Sequence, residues 1–134
     1  MNDDLKFRNQ QSRLSSAELR ERLKFARMYL AITHEIRRRI FDNCKRGNIS
    51  GVEMEAILVL VAVFIGDADG RPTNASKIAA YSGLPRSTVY RRLEQLVRLG
   101  KVDRVGRRYY LARDAVTSDS NGRLSRIFRD FCEN

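Results

Sequence analysis

The sequence predicts a mainly α-helical domain carrying one small β-hairpin, and three observations predict it. Apolar residues recur at helical spacing in five segments, most of them opened or closed by a cap signal. One stretch, 101–111, alternates instead about a Gly-Arg turn. The chain has 134 residues, 43% apolar and 31% charged, which suits one folded domain around one core.

Residues 1–14 are polar and mixed in charge, and are expected to form a disordered tail before a single domain over 15–134. Ser15-Ser16-Ala17-Glu18 has the form of a capping box. The helix it opens meets no proline before Arg46, where Gly47-Asn48 gives a stop signal. Its apolar residues form two stripes, Leu19, Leu23, Ala26 and Leu30 on one, Phe25, Tyr29, Ile32, Ile36 and Ile40 on the other. One stripe suffices to dock a helix on its own domain, so the second predicts a partner subunit. A single broad face in a small bundle, or a break near Thr33, is the alternative.

Ser50-Gly51-Val52-Glu53 is a second capping box and opens a helix over 50–66, apolar on nearly every side and so expected at the centre of the fold. Gly66 is expected to end it. The Asp67-Ala68-Asp69-Gly70 fragment has the start of a calcium loop, but Arg71 and Pro72 stand where that loop needs a ligand and a glycine, so a solvated turn is expected.

Residues 73–99 carry the clearest pattern. A short helix starts at Thr73-Asn74-Ala75-Ser76, Tyr81-Ser82-Gly83-Leu84 turns, and Pro85 opens a second helix that stops at Gly100. Val89, Leu93, Leu96 and Val97 give the second helix an apolar face, while Arg86, Ser87, Thr88, Tyr90, Arg91 and Arg98 lie on its opposite face and first turn. Two helices about a glycine turn make a helix-turn-helix, whose second helix enters the major groove of DNA. The hairpin 101–111 then supplies the wing of a winged helix. A last helix over 120–132 places Leu124, Ile127, Phe128 and Phe131 on one edge; too short to stand alone, it packs on the long first helix, in cis or across a dimer.

Charge points to the same partner. The net charge is +10, and residues 71–113 hold 11 Arg or Lys against two acids, Glu94 and Asp103. Such clustering favours a polyanion. The expected DNA contacts are Asn74, Ser76 and Lys77 on the first helix, Arg86, Ser87, Thr88, Tyr90, Arg91 and Arg92 on the second, and Arg107 and Arg108 on the wing. The expected dimer contacts are Phe25, Tyr29, Ile32, Ile36, Ile40, Leu124, Ile127, Phe128 and Phe131.

The stretch NASKIAAYSGLPRSTVYRRLEQLVRLGKVDRVGRRYYL resembles winged helix-turn-helix transcriptional regulators, most closely the MarR-like group. The resemblance covers about 40 of the 134 residues. It implies a homodimer joined through N- and C-terminal helices, and a sequence-specific regulator of transcription. MarR-like proteins often bind small aromatic ligands between their dimerisation and DNA-binding parts; no polar constellation in this sequence points to such an effector. A winged-helix protein-interaction or assembly module, and a phage or replication DNA-binding protein, are the alternative readings.

Other classes find no footing. The longest apolar run, Ala56–Ile65, is about half a membrane span. The N-terminus has no secretory apolar region, and Cys44 and Cys132 make no CxxC pair, so a reducing cytoplasm is expected. Both cysteines are expected as buried small hydrophobes rather than redox sensors. His34 has no partner at metal-ligand spacing and is expected on a helix surface or at an interface. No hydrolase, dinucleotide or P-loop signature occurs, so neither enzyme activity nor a cofactor is expected.

Overall fold

The computed structural model describes residues 14–41, 47–113 and 122–133. Among these residues, five helices and one hairpin follow in the order α1 (Ser16–Ile40), α2 (Gly51–Ala68), α3 (Ala75–Ser82), α4 (Arg86–Arg98), β1 (Val102–Val105), β2 (Arg108–Leu111) and α5 (Arg123–Cys132). The expected tail falls on residues outside the described ones, apart from Leu14.

Both capping boxes form. Ser15 Oγ accepts from the Glu18 N–H at 3.2 Å while the Glu18 carboxylate accepts from the Ser15 N–H at 3.2 Å. Ser50 and Glu53 repeat this at the start of α2. Each box satisfies donors that a helix start leaves open. α1 ends at Ile40, short of the expected Arg46, because Phe41 leaves helical geometry at φ −114 and ψ 83. Residues 42–46, with Cys44 among them, lie outside the described residues.

The core forms around α2. Val59 and Val63 are fully buried, against Ile78 of α3, Val89, Leu93 and Leu96 of α4, and Val102 of β1. Gly66 does not end α2, which continues to Ala68. A Cβ on Gly66 would stand 2.4 Å from Thr73 Cγ2 and 3.0 Å from the Arg71 carbonyl oxygen. The glycine is there for close approach of the chain, not as a cap. Asp67 is likewise no solvated turn residue, since its carboxylate accepts from the Leu111 N–H at 3.0 Å. This ties the end of α2 to the end of β2.

Ile40 was expected at a dimer interface. It is 1% exposed and belongs to the protomer's own core. The same end of α1 is locked to α2 by Arg37. Its Nε meets Glu53 Oε2 at 2.5 Å and its Nη1 donates to the Gly47 carbonyl at 3.0 Å. Donation from Arg37, and then from the Ser50 backbone N–H, lowers the Glu53 pKa from 4.5 to about 2.

α5 packs along α1 in cis. Ile32, Ile36, Leu124 and Phe128 face one another with Leu60 and Phe64 of α2 and Leu111 of β2, round an apolar cavity of about 340 Å³. Ile127 and Phe131 turn toward Met28 and Ala31 of α1. Buried Glu35 adds a polar tie, with Arg38 at 2.6 Å, Arg39 at 3.6 Å and Arg123 of α5 at 4.0 Å. The apolar edge of α5 is thus partly covered within one chain, and Phe128 and Phe131 keep exposures of 52% and 38%. Cys132, expected to be buried, is exposed, whereas His34 is exposed on α1, in keeping with the helix-surface position expected for it.

Candidate nucleic-acid interface

The helix-turn-helix is built by local chemistry. Asn74 caps α3 by accepting from the Lys77 N–H at 3.0 Å. Gly83 turns the chain at φ 72, a left-handed conformation open to glycine without cost. Ser82 Oγ accepts from the Leu84 N–H at 3.3 Å and holds the turn. Pro85 then starts α4, whose Val89, Leu93 and Leu96 are buried on α2 and α3.

Burying that face fixes what α4 presents outward. Ser87, Tyr90, Arg91, Glu94, Val97 and Arg98 are all exposed. The Arg91 guanidinium lies back along its own helix, donating from Nε to the Ser87 carbonyl at 3.4 Å. Arg86 donates to Ser76 Oγ, joining the start of α4 to α3. Lys77 is exposed beside them, and Thr88 is half-buried at the side of α4. Arg92 does not belong to this surface. Its Nε stands 3.5 Å from Glu55 of α2, and its Nη1 donates to Gln95 at 3.1 Å, with the side chain only 14% exposed. It braces α4 against α2, and the expected DNA contact at this position is withdrawn.

The hairpin pairs Val102 with Leu111 and Val105 with Arg108 in antiparallel register. Gly106 takes the first turn position at φ 62 and, among the described residues, no non-glycine residue has positive φ, the φ pattern of a type II′ hairpin. The Tyr109 N–H donates to the Thr73 carbonyl at 3.0 Å, so residue 73 adds a short bridge beside β2. Val102 at the root and Tyr109, one pair from the tip, are buried, while Arg104, Arg107 and Arg108 are exposed. Arg107 and Arg108 therefore sit at the tip as expected from the turn.

Arg98 and Arg104 were not among the expected contacts, yet both border the groove between α4 and the hairpin. Arg104 Nε donates to the Gly106 carbonyl at 2.9 Å, and its guanidinium lies 6.0 Å from the Tyr109 ring centroid. Arg98 could be found from its spacing, seven residues beyond Arg91 on one helix face. Arg104 left no such signal, because alternation places it on the same face as buried Val102. Tyr81, near the end of α3, is a further exposed aromatic hydroxyl of the motif, at 54%. Among the described residues, no group of three or more His, Cys, Asp or Glu could hold a metal ion, and no helix is long and apolar enough to cross a membrane.

A short helix, a glycine turn, an amphipathic second helix and a basic two-stranded hairpin define a winged helix-turn-helix domain. Its class is that of DNA-binding transcription regulators. More particularly, a model of the IclR helix-turn-helix domain matches residues 67–106, from the end of α2 through α3 and α4 to the hairpin turn. The IclR group is a different family from the MarR-like group, and this match supports the winged helix-turn-helix regulator expected from the sequence but not its expected closeness to the MarR-like group. No curated protein matches the chain, and no solved structure does.

Proposed function

We propose that the chain is a homodimeric, sequence-specific regulator of transcription that binds double-stranded DNA, with α4 in the major groove and the hairpin on the backbone or minor groove. The observation that carries this reading is the outward face of α4, where Ser87, Tyr90 and Arg91 stand exposed opposite a fully buried Val89-Leu93-Leu96 face. Arg91 offers two parallel donors to a guanine edge. Arg86 and Lys77 suit phosphates beside it, and Arg107 and Arg108 suit phosphates at the tip.

The dimer part of the reading rests on the first half of α1. Leu19, Leu23, Phe25, Tyr29 and Leu30 are between 46% and 58% exposed there. A second copy of the chain covers them, as the flanking helices of MarR-like proteins do. The site of action is the cytoplasm, with neither cofactor nor catalysis.

Salt titration on duplex DNA tests the reading. Each phosphate contact contributes about 0.9 to the slope of log K against log salt. Changing Arg107 and Arg108 to Ala should lower that slope by about 1 to 2. Arg91→Ala should cost about 1–3 kcal/mol on the preferred site and less on random duplex. A flat salt response in the unaltered chain would instead favour the protein-assembly module.

A further inference from the structure

Ser87, Arg91, Glu94 and Arg98 follow one another at spacings of 4, 3 and 4 along α4, and all four are exposed. At about 100° per residue they fall within an arc of about 60°, centred about 170° from buried Val89. They form one ridge about 16 Å long on the outermost line of the helix. With Tyr90 included, residues 87, 90, 91 and 94 stand at i, i+3, i+4 and i+7. That is the spacing at which the homeodomain recognition helix brings four side chains to base edges.

Three of these residues suit any nucleic acid, since hydroxyl, phenol and guanidinium all bond to phosphate. Glu94 does not. A carboxylate repels phosphate, and within residues 71–113 it is one of only two acids among 11 Arg and Lys. The ordinary uses of an exposed helix glutamate are also unmet. Glu94 lies well beyond the first turn of α4, where alone the helix dipole would favour a negative charge. Arg98 is four residues on, the favourable position for an ion pair, yet among the described residues Glu94 pairs with neither Arg98 nor any other cation. Its oxygens are left for a donor from outside the chain.

On the reading that α4 enters the major groove, we infer that Glu94 is a specificity-determining residue that accepts a hydrogen bond from the N4 amino group of a cytosine, beside the base pair that Arg91 contacts. Cytosine presents that donor on its major-groove edge, whereas guanine presents only acceptors there, which a carboxylate rejects. An Arg-Glu-Arg order along one ridge thus gives a recognition sequence in which a cytosine is enforced by attraction and its guanine alternative by repulsion.

Selection of bound sites from a random duplex pool, run in parallel with the full chain and with Glu94→Gln, Glu94→Ala and Arg91→Ala, tests this. All three substitutions are on exposed positions, and circular dichroism checks that each variant is folded. The unaltered chain should enrich a site containing a cytosine that Glu94→Ala no longer selects, a loss of about tenfold in preference at that position. Glu94→Ala should at the same time bind random duplex more tightly, because a repelled charge is gone. Glu94→Gln should move the preference from cytosine toward adenine, whose N6 and N7 a glutamine amide matches. If Arg91→Ala changes the selected site while both Glu94 variants select what the unaltered chain selects, base reading by α4 stands and the role of Glu94 is overturned. If the unaltered chain enriches no sequence, the DNA-reading function itself fails and the inference falls with it.

Discussion

The two halves of α1 are parts of one unbroken helix, yet they meet different surroundings. Over 16–30 no side chain is buried, and Phe25 and Tyr29 are 57% and 52% exposed. Over 33–40, Thr33, Glu35, Arg37 and Ile40 are buried, and Arg37 is bonded to both α2 and the chain before it. Apolar periodicity runs through both halves. Periodicity therefore says that a face will be covered, but not by which molecule. The second half is covered by its own domain, and the first projects beyond it with α5 lying along part of its side.

Substitutions should separate the halves by size of effect. Ile40→Ala empties a fully buried position, and a loss of about 3 kcal/mol in unfolding free energy is expected. Urea denaturation at several protein concentrations would show a lowered midpoint at every one. An effect below about 1 kcal/mol would put Ile40 on the helix surface after all.

Glu53→Gln comes next, at about 2 kcal/mol, because it leaves the Arg37 guanidinium without its charged acceptor. The same pair gives a pH signature. The Glu53 pKa is depressed from 4.5 to about 2 in the folded chain. Its stabilisation is complete above pH 4.5 and is lost as pH falls toward 2, since proton uptake then favours the unfolded chain. Stability followed across that window should fall less steeply in Glu53→Gln than in the unaltered protein.

The smallest effect on the monomer fold belongs to the exposed half. Phe25→Ala with Tyr29→Ala should change monomer stability by no more than about 0.5 kcal/mol. On the proposed dimer it should still weaken self-association, read by light scattering as a shift from twice the chain mass toward 15.5 kDa. Equal association in the double variant would move the dimer contact elsewhere, and a large loss of monomer stability would erase the contrast between the halves.

Local rules recovered the elements well. Both capping boxes, the Gly83 turn, the Pro85 start and the Gly106 hairpin are decided within a few residues, and each is where the sequence places it. What could not be read depends on partners far away in the chain. Gly66 has the look of a stop because nothing adjacent tells that Thr73 will press on it. Arg92 resembles its neighbour Arg91 until Glu55 arrives from α2. Ile40 belongs to the same stripe as Phe25, and only the fold of α2 against its end separates them. Within the candidate interface, Arg104 and the isolation of Glu94 appeared only with the hairpin and α4 in place.

The Asp67 carboxylate on the Leu111 N–H holds β2 at its root, and the Thr73 carbonyl on the Tyr109 N–H holds it again one pair from the tip. Four-residue strands on their own would be marginal in water. With β2 held along its length by α2 and residue 73, the exposed side chains of Arg107 and Arg108 take no part in the core. The side chains of Arg107 and Arg108, both exposed, can thus be recharged while Gly106 keeps the turn and the hairpin keeps its register. A lineage descended from this chain could retune its grip on a duplex by editing two codons, while the residues that make it fold stay untouched.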